Sequence, residues 1–191
     1  PFVTSSNTTS GGECTASGLS PKYINDVICV MKAYTTRVGE GPFPTELSNA
    51  VGEKIRALGK EFGASTGRPR RCGWFDAVSA RYSCMVNGVN RLAITKLDIL
   101  DDFDEIKICT AYEINGKKTE IMPSETEKIF AANPIYESMP GWKETTSNAA
   151  AWKALPEKAR KYLLRISQLV QAEPSIISVG PKRNQTFTVS N

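Results

Sequence analysis

Three arginines, Arg68, Arg70 and Arg71, fall within four residues of one loop, Gly63-Ala64-Ser65-Thr66-Gly67-Arg68-Pro69-Arg70-Arg71-Cys72-Gly73-Trp74. Arginine is rarely buried without a partner, and three so close repel one another unless anions or carboxylates lie between them. Packing alone does not account for such a loop. Its chemistry is that of a binding loop for an anionic, planar partner. Arg68 and Arg70 suit a carboxylate or a phosphate through bidentate hydrogen bonds. Thr66 and Gly67 add backbone N–H donors of the kind that form an anion-binding nest. Arg71 reads as the structural member, paired with Asp76 or another carboxylate.

A second candidate is Lys96-Leu97-Asp98, at the C-terminal end of the apolar run Leu92-Ala93-Ile94-Thr95. In open α/β sheets ligands bind at that end of a strand. The triplet resembles the guanine-reading end of the N-K-x-D pattern in GTP-binding proteins. A carboxylate accepts hydrogen bonds from guanine N1–H and the 2-amino group together, and adenine has no donor at either place. The lysine stem can lie along the purine face while its ammonium stays in water. Taken alone, the triplet is also ordinary surface charge at a strand end. A third candidate is Ser178-Val179-Gly180, where backbone N–H groups can meet a base carbonyl and Gly180 permits close approach. Alone, it is equally a strand exit.

The elements that must hold these residues alternate between helix and strand. Residues 2–5 read as a strand end and 7–20, rich in Ser, Thr and Gly, as a loop. Ser20-Pro21 predicts a helix start, with Ile24, Val27, Ile28 and Met31 on its apolar face. Residues 30–38 read as a strand, followed by a rigid loop at Gly39-Glu40-Gly41-Pro42-Phe43-Pro44. A helix is predicted over 48–62, facing the core through Val51, Ile55 and Leu58, and weakened by Gly52 and Gly59. Asp76 caps a third helix carrying Val78, Tyr82 and Met85, ended by Asn87-Gly88.

Farther on, Ile106, Ile108, Thr110, Tyr112 and Ile114 alternate as one face of a strand. Asn115-Gly116 is the preferred hairpin turn, and 118–122 returns. A short helix over 123–132 carries Ser124 and Glu127 as a capping box. Residues 133–143 read as irregular. Pro156 starts a last helix to about residue 171, facing inward through Ala159, Tyr162, Leu163, Ile166 and Val170. Lys158, Arg160, Lys161 and Arg165 form its solvated face. Ile176-Ile177-Ser178 reads as the final strand. The expectation is a mixed-sheet α/β fold with flanking helices.

The 191 residues are 40% hydrophobic and 23% charged, which is globular composition. A formal net charge of +4, without a basic stripe, suits anionic small molecules and disfavours nucleic acid. Five cysteines without a C-x-x-C pair argue against a disulfide framework or zinc site and for a reducing setting. There is no histidine, so the commonest general acid–base near neutral pH must come from elsewhere. No apolar run has membrane-spanning length. The opening Pro1-Phe2-Val3-Thr4 reads as the interior of a longer protein.

Five stretches together resemble adenylosuccinate synthetase, in that family's order. They are Pro1-Phe2-Val3-Thr4-Ser5-Ser6-Asn7-Thr8-Thr9, Thr36-Arg37-Val38-Gly39-Glu40-Gly41-Pro42-Phe43-Pro44-Thr45-Glu46, Thr66-Gly67-Arg68-Pro69-Arg70-Arg71-Cys72-Gly73-Trp74-Phe75-Asp76, Thr95-Lys96-Leu97-Asp98 and Tyr136-Glu137-Ser138-Met139-Pro140-Gly141-Trp142. The likeness covers the C-terminal part of that enzyme. It implies an incomplete portion of a P-loop-NTPase-like fold, with residues 1–44 ending the central nucleotide-binding region and 45–191 carrying the aspartate loop and guanine site.

The resemblance implies a GTP-dependent ligase of purine (AMP) biosynthesis, joining IMP and L-aspartate with Mg2+ in a cytoplasmic homodimer. It implies that Thr4 lies near the IMP phosphate and that Val38 meets the IMP ribose through its backbone. Ala64, Ser65, Thr66, Gly67, Arg68, Pro69 and Arg70 form the aspartate loop, with Thr66 and Arg68 on the aspartate carboxylates and Arg68 also near IMP. Arg70 lies between aspartate and GTP. Lys96, Leu97, Asp98, Ser178, Val179 and Gly180 hold the guanine. The phosphate loop, catalytic aspartate, catalytic histidine and metal ligands of the family fall upstream, which leaves no catalytic and no metal-ligating residue here. Pro69 stands where many members carry another arginine. The competing expectation is a nucleotide-binding fragment that does no chemistry alone.

Overall fold

The computed structural model describes residues 9–189. The expected strand end at residues 2–5 and the candidate Thr4 lie outside the described residues. In chain order the elements are α1 (Ser10–Ser17), β1 (Ile28–Lys32), β2 (Thr35–Arg37), α2 (Ala50–Gly59), β3 (Arg71–Gly73), β4 (Phe75–Asp76), α3 (Ala77–Asn87) and β5 (Arg91–Thr95). They continue with β6 (Glu105–Ile114), β7 (Lys117–Thr119), α4 (Thr126–Phe130), β8 (Asn133–Pro140), α5 (Glu157–Val170), β9 (Glu173–Ser178) and β10 (Thr186–Thr188). The fold is mixed α/β, as the alternation predicts.

One sheet positions the candidate site. Its order is β1-β5-β9-β10, with β1 and β9 both parallel to β5 and β10 antiparallel to β9. Leu92 and Ile94 of the central strand and Ile177 of β9 are fully buried. Parallel pairing sets the C-terminal ends of three strands side by side. Lys32 lies opposite Thr95, and Ile94 lies opposite Ile177. Lys96 and Ser178 therefore leave the sheet along one edge. Helix α5 buries Ala159, Tyr162, Leu163, Ile166 and Val170, the face its spacing predicts. The Tyr162 hydroxyl donates to the Ala33 carbonyl over 2.6 Å and joins the helix to the end of β1.

A second sheet is built on β6, which pairs with β4, β7 and β8. The Asn115-Gly116 turn adopts positive φ at both residues, 51° and 72°, as a type I′ hairpin requires. Asp76 caps α3 through the Ser79 N–H, as predicted, and also accepts from the Tyr112 hydroxyl at 2.6 Å.

Several local expectations are overturned. The segment after Pro21 is a single 3-10 turn, Pro21–Tyr23, and Ile28 and Met31 belong to a strand. The backbone ladder with β5 rewards the extended form of the β-branched Ile28 and Val30, and tertiary pairing outweighs a helical spacing. Within 7–20 there is a helix, α1, capped by the Thr9 side chain at one end and by Gly18 in the left-handed region at the other. Residues 133–140 form β8. Its prolines fit because β8 pairs with β6 alone, so a missing N–H can face outward. A register shift between Cys109 and Ala111 breaks the β6 alternation, so Cys109 and Ala111 are buried with Ile106, Ile108 and Tyr112.

The capping box at Ser124 and Glu127 does not form: α4 starts after Glu125 without a side-chain cap. Leu58 is exposed rather than inward, and Tyr82 and Met85 of α3 are exposed as well. Strand β9 is followed by β10 and is not the last. The solvated face of α5 is partly engaged, since Arg165 pairs with Glu137 of β8 at 2.7 Å.

Gly141 stands where β8 leaves the sheet, and a Cβ there would lie 1.7 Å from the Phe103 carbonyl oxygen. Backbone cannot yield as a side-chain tip can. Gly141→Ala is expected to cost about 1–3 kcal/mol as an overpacking change, read from the urea midpoint. An unchanged midpoint would show that this close approach is not structural.

Candidate functional site

The arginine loop divides into a locked base and an open tip. At the base, the Arg70 N–H donates to the Glu61 carbonyl at 2.9 Å, and Phe62 and Pro69 form an antiparallel bridge. The Arg56 side chain of α2 donates to the Arg70 carbonyl at 2.9 Å. At the tip, Gly63 N–H donates to the Arg68 carbonyl and Gly67 N–H to the Gly63 carbonyl. Gly67 sits at φ 64°, which a residue with a Cβ adopts only at a cost. Ala64, Ser65, Thr66, Gly67, Arg68 and Pro69 are all exposed. The Arg68 guanidinium makes no hydrogen bond or ion pair among the described residues, so its donors face outward.

Arg70 and Arg71 take different partners. Arg71 forms a two-point pair with Glu46 (2.5 and 2.8 Å) and donates to the Gly39 and Gly41 carbonyls. It thereby pins the 39–44 loop. Its expected carboxylate partner is thus Glu46, while Asp76 is taken by the α3 cap. Arg70 reaches the Glu61 carboxylate at 2.8 Å, and its Nε is buried with no hydrogen-bond partner among the described residues. Val38 follows the last residue of β2, Arg37, which pairs with Arg71. Val38 itself is exposed. Trp74 packs edge-on against Phe103 in the core and offers no face to a ligand.

Glu61, which nothing in the local sequence marks, is fully buried among three cations. Lys32 lies at 2.8 Å, Arg70 at 2.8 Å and Lys96 at 3.1 Å. The Tyr34 hydroxyl donates to it at 2.6 Å. Burial raises the carboxyl's pKa, but hydrogen bonds from Lys32, Tyr34 and Arg70 outweigh it and bring Glu61 down to about 2. Burial in turn lowers Lys32, although Glu61 opposes that shift. Lys96 stands in the left-handed region at φ 59° and donates to the Gly59 carbonyl as well as pairing with Glu61. Its ammonium is therefore paired with protein, while the side chain remains 35% exposed.

Asp98 lies in the 3-10 turn Leu97–Leu100 that follows Lys96. Its Oδ1 is buried and has no hydrogen-bond partner among the described residues. Burial raises the Asp98 pKa, against the opposing effects of a backbone N–H and the Lys96 charge. Leu97 and Val179 are fully buried, so only their backbones are open to a site role. The Val179 N–H is already given to the Gln185 carbonyl at 2.9 Å, which removes it as a donor to a base. A Cβ at Gly180 would meet the Gln185 side chain at 2.3 Å. The end of the Gln185 side chain therefore packs against the backbone of Gly180. Ser178 Oγ donates to the Gly180 carbonyl at 3.0 Å and shapes that exit.

The structure gathers Lys32, Glu61, Arg70 and Lys96 directly and sets the turn carrying Asp98 and the Ser178 exit on the same sheet edge. It forms no hydrogen bond or ion pair between the loop tip and the Asp98 turn among the described residues. A cavity of about 460 Å³ among α3, residues 120–122 and the end of α5 is lined by none of the candidate residues. Among the described residues no group of three or more His, Cys, Asp or Glu side chains gathers to hold a metal ion. No helix among them is long and apolar enough to cross a membrane.

Comparison with known proteins places this arrangement. The adenylosuccinate synthetase family model matches residues 1–187. The chain belongs to the adenylosuccinate synthetase family. It is 51% identical to the adenylosuccinate synthetase of Geobacter sulfurreducens and 52% to that of Geotalea daltonii, each over all 191 residues. It spans 44% of the length of each. Among solved structures, a fully ligated adenylosuccinate synthetase of Plasmodium falciparum superposes with a TM-score of 0.94 at 40% identity. That match covers all of this chain and 46% of the other.

The depressed Glu61 pKa has a definite pH consequence. Its folded value, about 2, lies below the ordinary 4.5, so its stabilisation is full above about 4.5 and disappears as pH falls toward 2. Wild type should exceed Glu61→Gln in stability at pH 6 by about 3–5 kcal/mol, the cost of breaking a buried ion pair. The gap should close near pH 2 in parallel urea titrations. A gap independent of pH would mean that the carboxylate charge is not what matters.

Proposed function

We propose that this chain supplies the guanine-reading and aspartate-reading part of a GTP-dependent ligase that joins IMP and L-aspartate into adenylosuccinate, a step of AMP biosynthesis. The single observation that carries the nucleotide assignment is the buried, unpartnered Oδ1 of Asp98 at the C-terminal end of a parallel strand. A desolvated acceptor in that position gains by meeting a donor. Guanine presents N1–H and the 2-amino group along one edge, and a carboxylate takes both. Adenine would leave the acceptor unmet. Lys96, drawn back to Glu61, lays its stem along the neighbouring surface.

The exposed Arg68, with Thr66, takes the aspartate carboxylates and reaches toward IMP, while Arg70 stands between aspartate and GTP. Val38 meets the IMP ribose through its backbone, and Ser178 and Gly180 border the guanine. Thr4 belongs to the IMP phosphate region. In this reading residues 1–44 end the nucleotide-binding region and 45–191 form the C-terminal region. GTP phosphorylates the 6-oxygen of IMP, and the aspartate amine then displaces the phosphate. The groups that move the phosphoryl group, and the Mg2+ that accompanies it, belong to the other part of the full-length enzyme, a cytoplasmic homodimer. A second reading, recognition without chemistry by these 191 residues alone, draws on the absence of histidine.

Two substitutions in the full-length enzyme test the reading. Asp98→Asn should weaken GTP by about tenfold or more and favour XTP, because an amide donates to the 2-oxo group of xanthine. Unchanged kinetics with both nucleotides would remove Asp98 from base reading. Arg68→Leu should raise the KM for aspartate about tenfold or more with little change in thermal midpoint. An unaltered aspartate dependence would take the loop out of the site. For the second reading, the isolated chain should bind a fluorescent GTP analogue yet show no turnover; turnover would refute it.

A further inference from the structure

Resting on the preceding assignment of Arg70 and Lys96, we propose that Glu61 is a positioning residue that sets both substrate-reading elements with one carboxylate. Its Oε2 pairs with Arg70 at the base of the arginine loop, and its Oε1 pairs with Lys96 at the start of the Asp98 turn. Both oxygens also receive Lys32, from the end of β1, at 2.8 Å. Lys32 in turn donates to Thr36 of β2, two residues before Val38. Three segments that contact three different substrates in this reading thus meet on one side chain.

The geometry makes the coupling specific. Glu61 holds the Arg70 backbone through its own carbonyl and the Arg70 side chain through its carboxylate. The guanidinium is therefore fixed in direction as well as position. Lys96 is held by Glu61 and by the Gly59 carbonyl, just past which α2 ends. The end of one helix orients both elements. The Tyr34 hydroxyl fixes the carboxylate plane at 2.6 Å. With one carboxylate facing three cations, the cluster keeps an excess of positive charge, which faces the anionic substrates without the cations repelling one another apart.

The test uses the full-length enzyme and a double-mutant cycle. Glu61→Gln keeps the shape and removes the charge. It should raise the KM for aspartate and the KM for GTP, each about tenfold or more. Arg70→Leu should raise the KM for aspartate. Adding Glu61→Gln to Arg70→Leu should then move the aspartate KM less than threefold further, yet still raise the GTP KM through Lys96 by about tenfold. A purely structural role would show a lower thermal midpoint with both KM values unmoved, and that outcome overturns the proposal. A fall in the aspartate KM would also overturn it, because the carboxylate would then be competing with substrate for Arg70. If Glu61→Gln yields no soluble protein, Glu61→Asp decides: a rise of about threefold or more in both KM values supports the proposal, and unmoved values overturn it. Wild type that makes no adenylosuccinate from IMP, aspartate and GTP would instead refute the functional reading and this proposal together.

Discussion

The structure depends on a carboxylate that has no access to water. Placing Glu61 in the interior costs several kcal/mol by itself, and only close cations with good hydrogen bonds offset that cost. The fold supplies them from three separated places: the end of β1, the base of the arginine loop and the turn after β5. None of these segments is adjacent to another in sequence. What brings them within about one side-chain length is parallel pairing, which lines up strand ends, and the termination of α2 at the same edge. Removing any one partner leaves the others, but removing the carboxylate leaves cations confined at short range with no counter-charge. The asymmetry explains why the cluster is better described as a fixed point than as a set of three ion pairs.

Division of labour among the arginines follows from their partners. Arg71 is spent on Glu46 and two carbonyls, and Arg70 on Glu61, so both are held by protein. Arg68 alone presents its guanidinium outward from an exposed turn. A flexible cation on a flexible loop would lose much of its binding free energy to ordering. Here the loop base is bonded through backbone and side chain at residues 61, 62, 69 and 70, and only the tip has freedom left. Pro69 stands in the bridge opposite Phe62, where a restricted φ suits the fixed base.

Much of this arrangement was legible in the residues, and the reasons for the rest are physical. Long periodic elements were readable: α5 buries the predicted face, and β5, the Asn115-Gly116 hairpin and the Asp76 cap stand where their signals point. Segments whose conformation is decided by a distant partner were not. Ile28 and Met31 carry a helical spacing, yet they form a strand because β5 offers them a ladder. Residues 133–140 contain two prolines and still pair, because only one of their edges is used. Charge position was readable at the arginine loop, where density of like charge is itself a signal. Glu61 gave none: one glutamate after a helix looks like any solvated residue until Lys32 and Lys96 are placed beside it.

Gly180 shows how one glycine can face two neighbours. A glycine at a strand exit near a candidate base site suggests room for the base. The Gln185 side chain lies where a Cβ on residue 180 would go, and its carbonyl accepts the Val179 N–H. Gln185 also donates to the Ser147 carbonyl, so it ties this exit to the segment that precedes α5. The strand exit is therefore a braced wall. Asp98, one strand over, keeps an acceptor without a partner, and its turn starts from a lysine locked to Glu61. Selectivity of this kind needs both halves: an unmet acceptor to reward the right donor pair, and surroundings too well braced to move and satisfy it themselves.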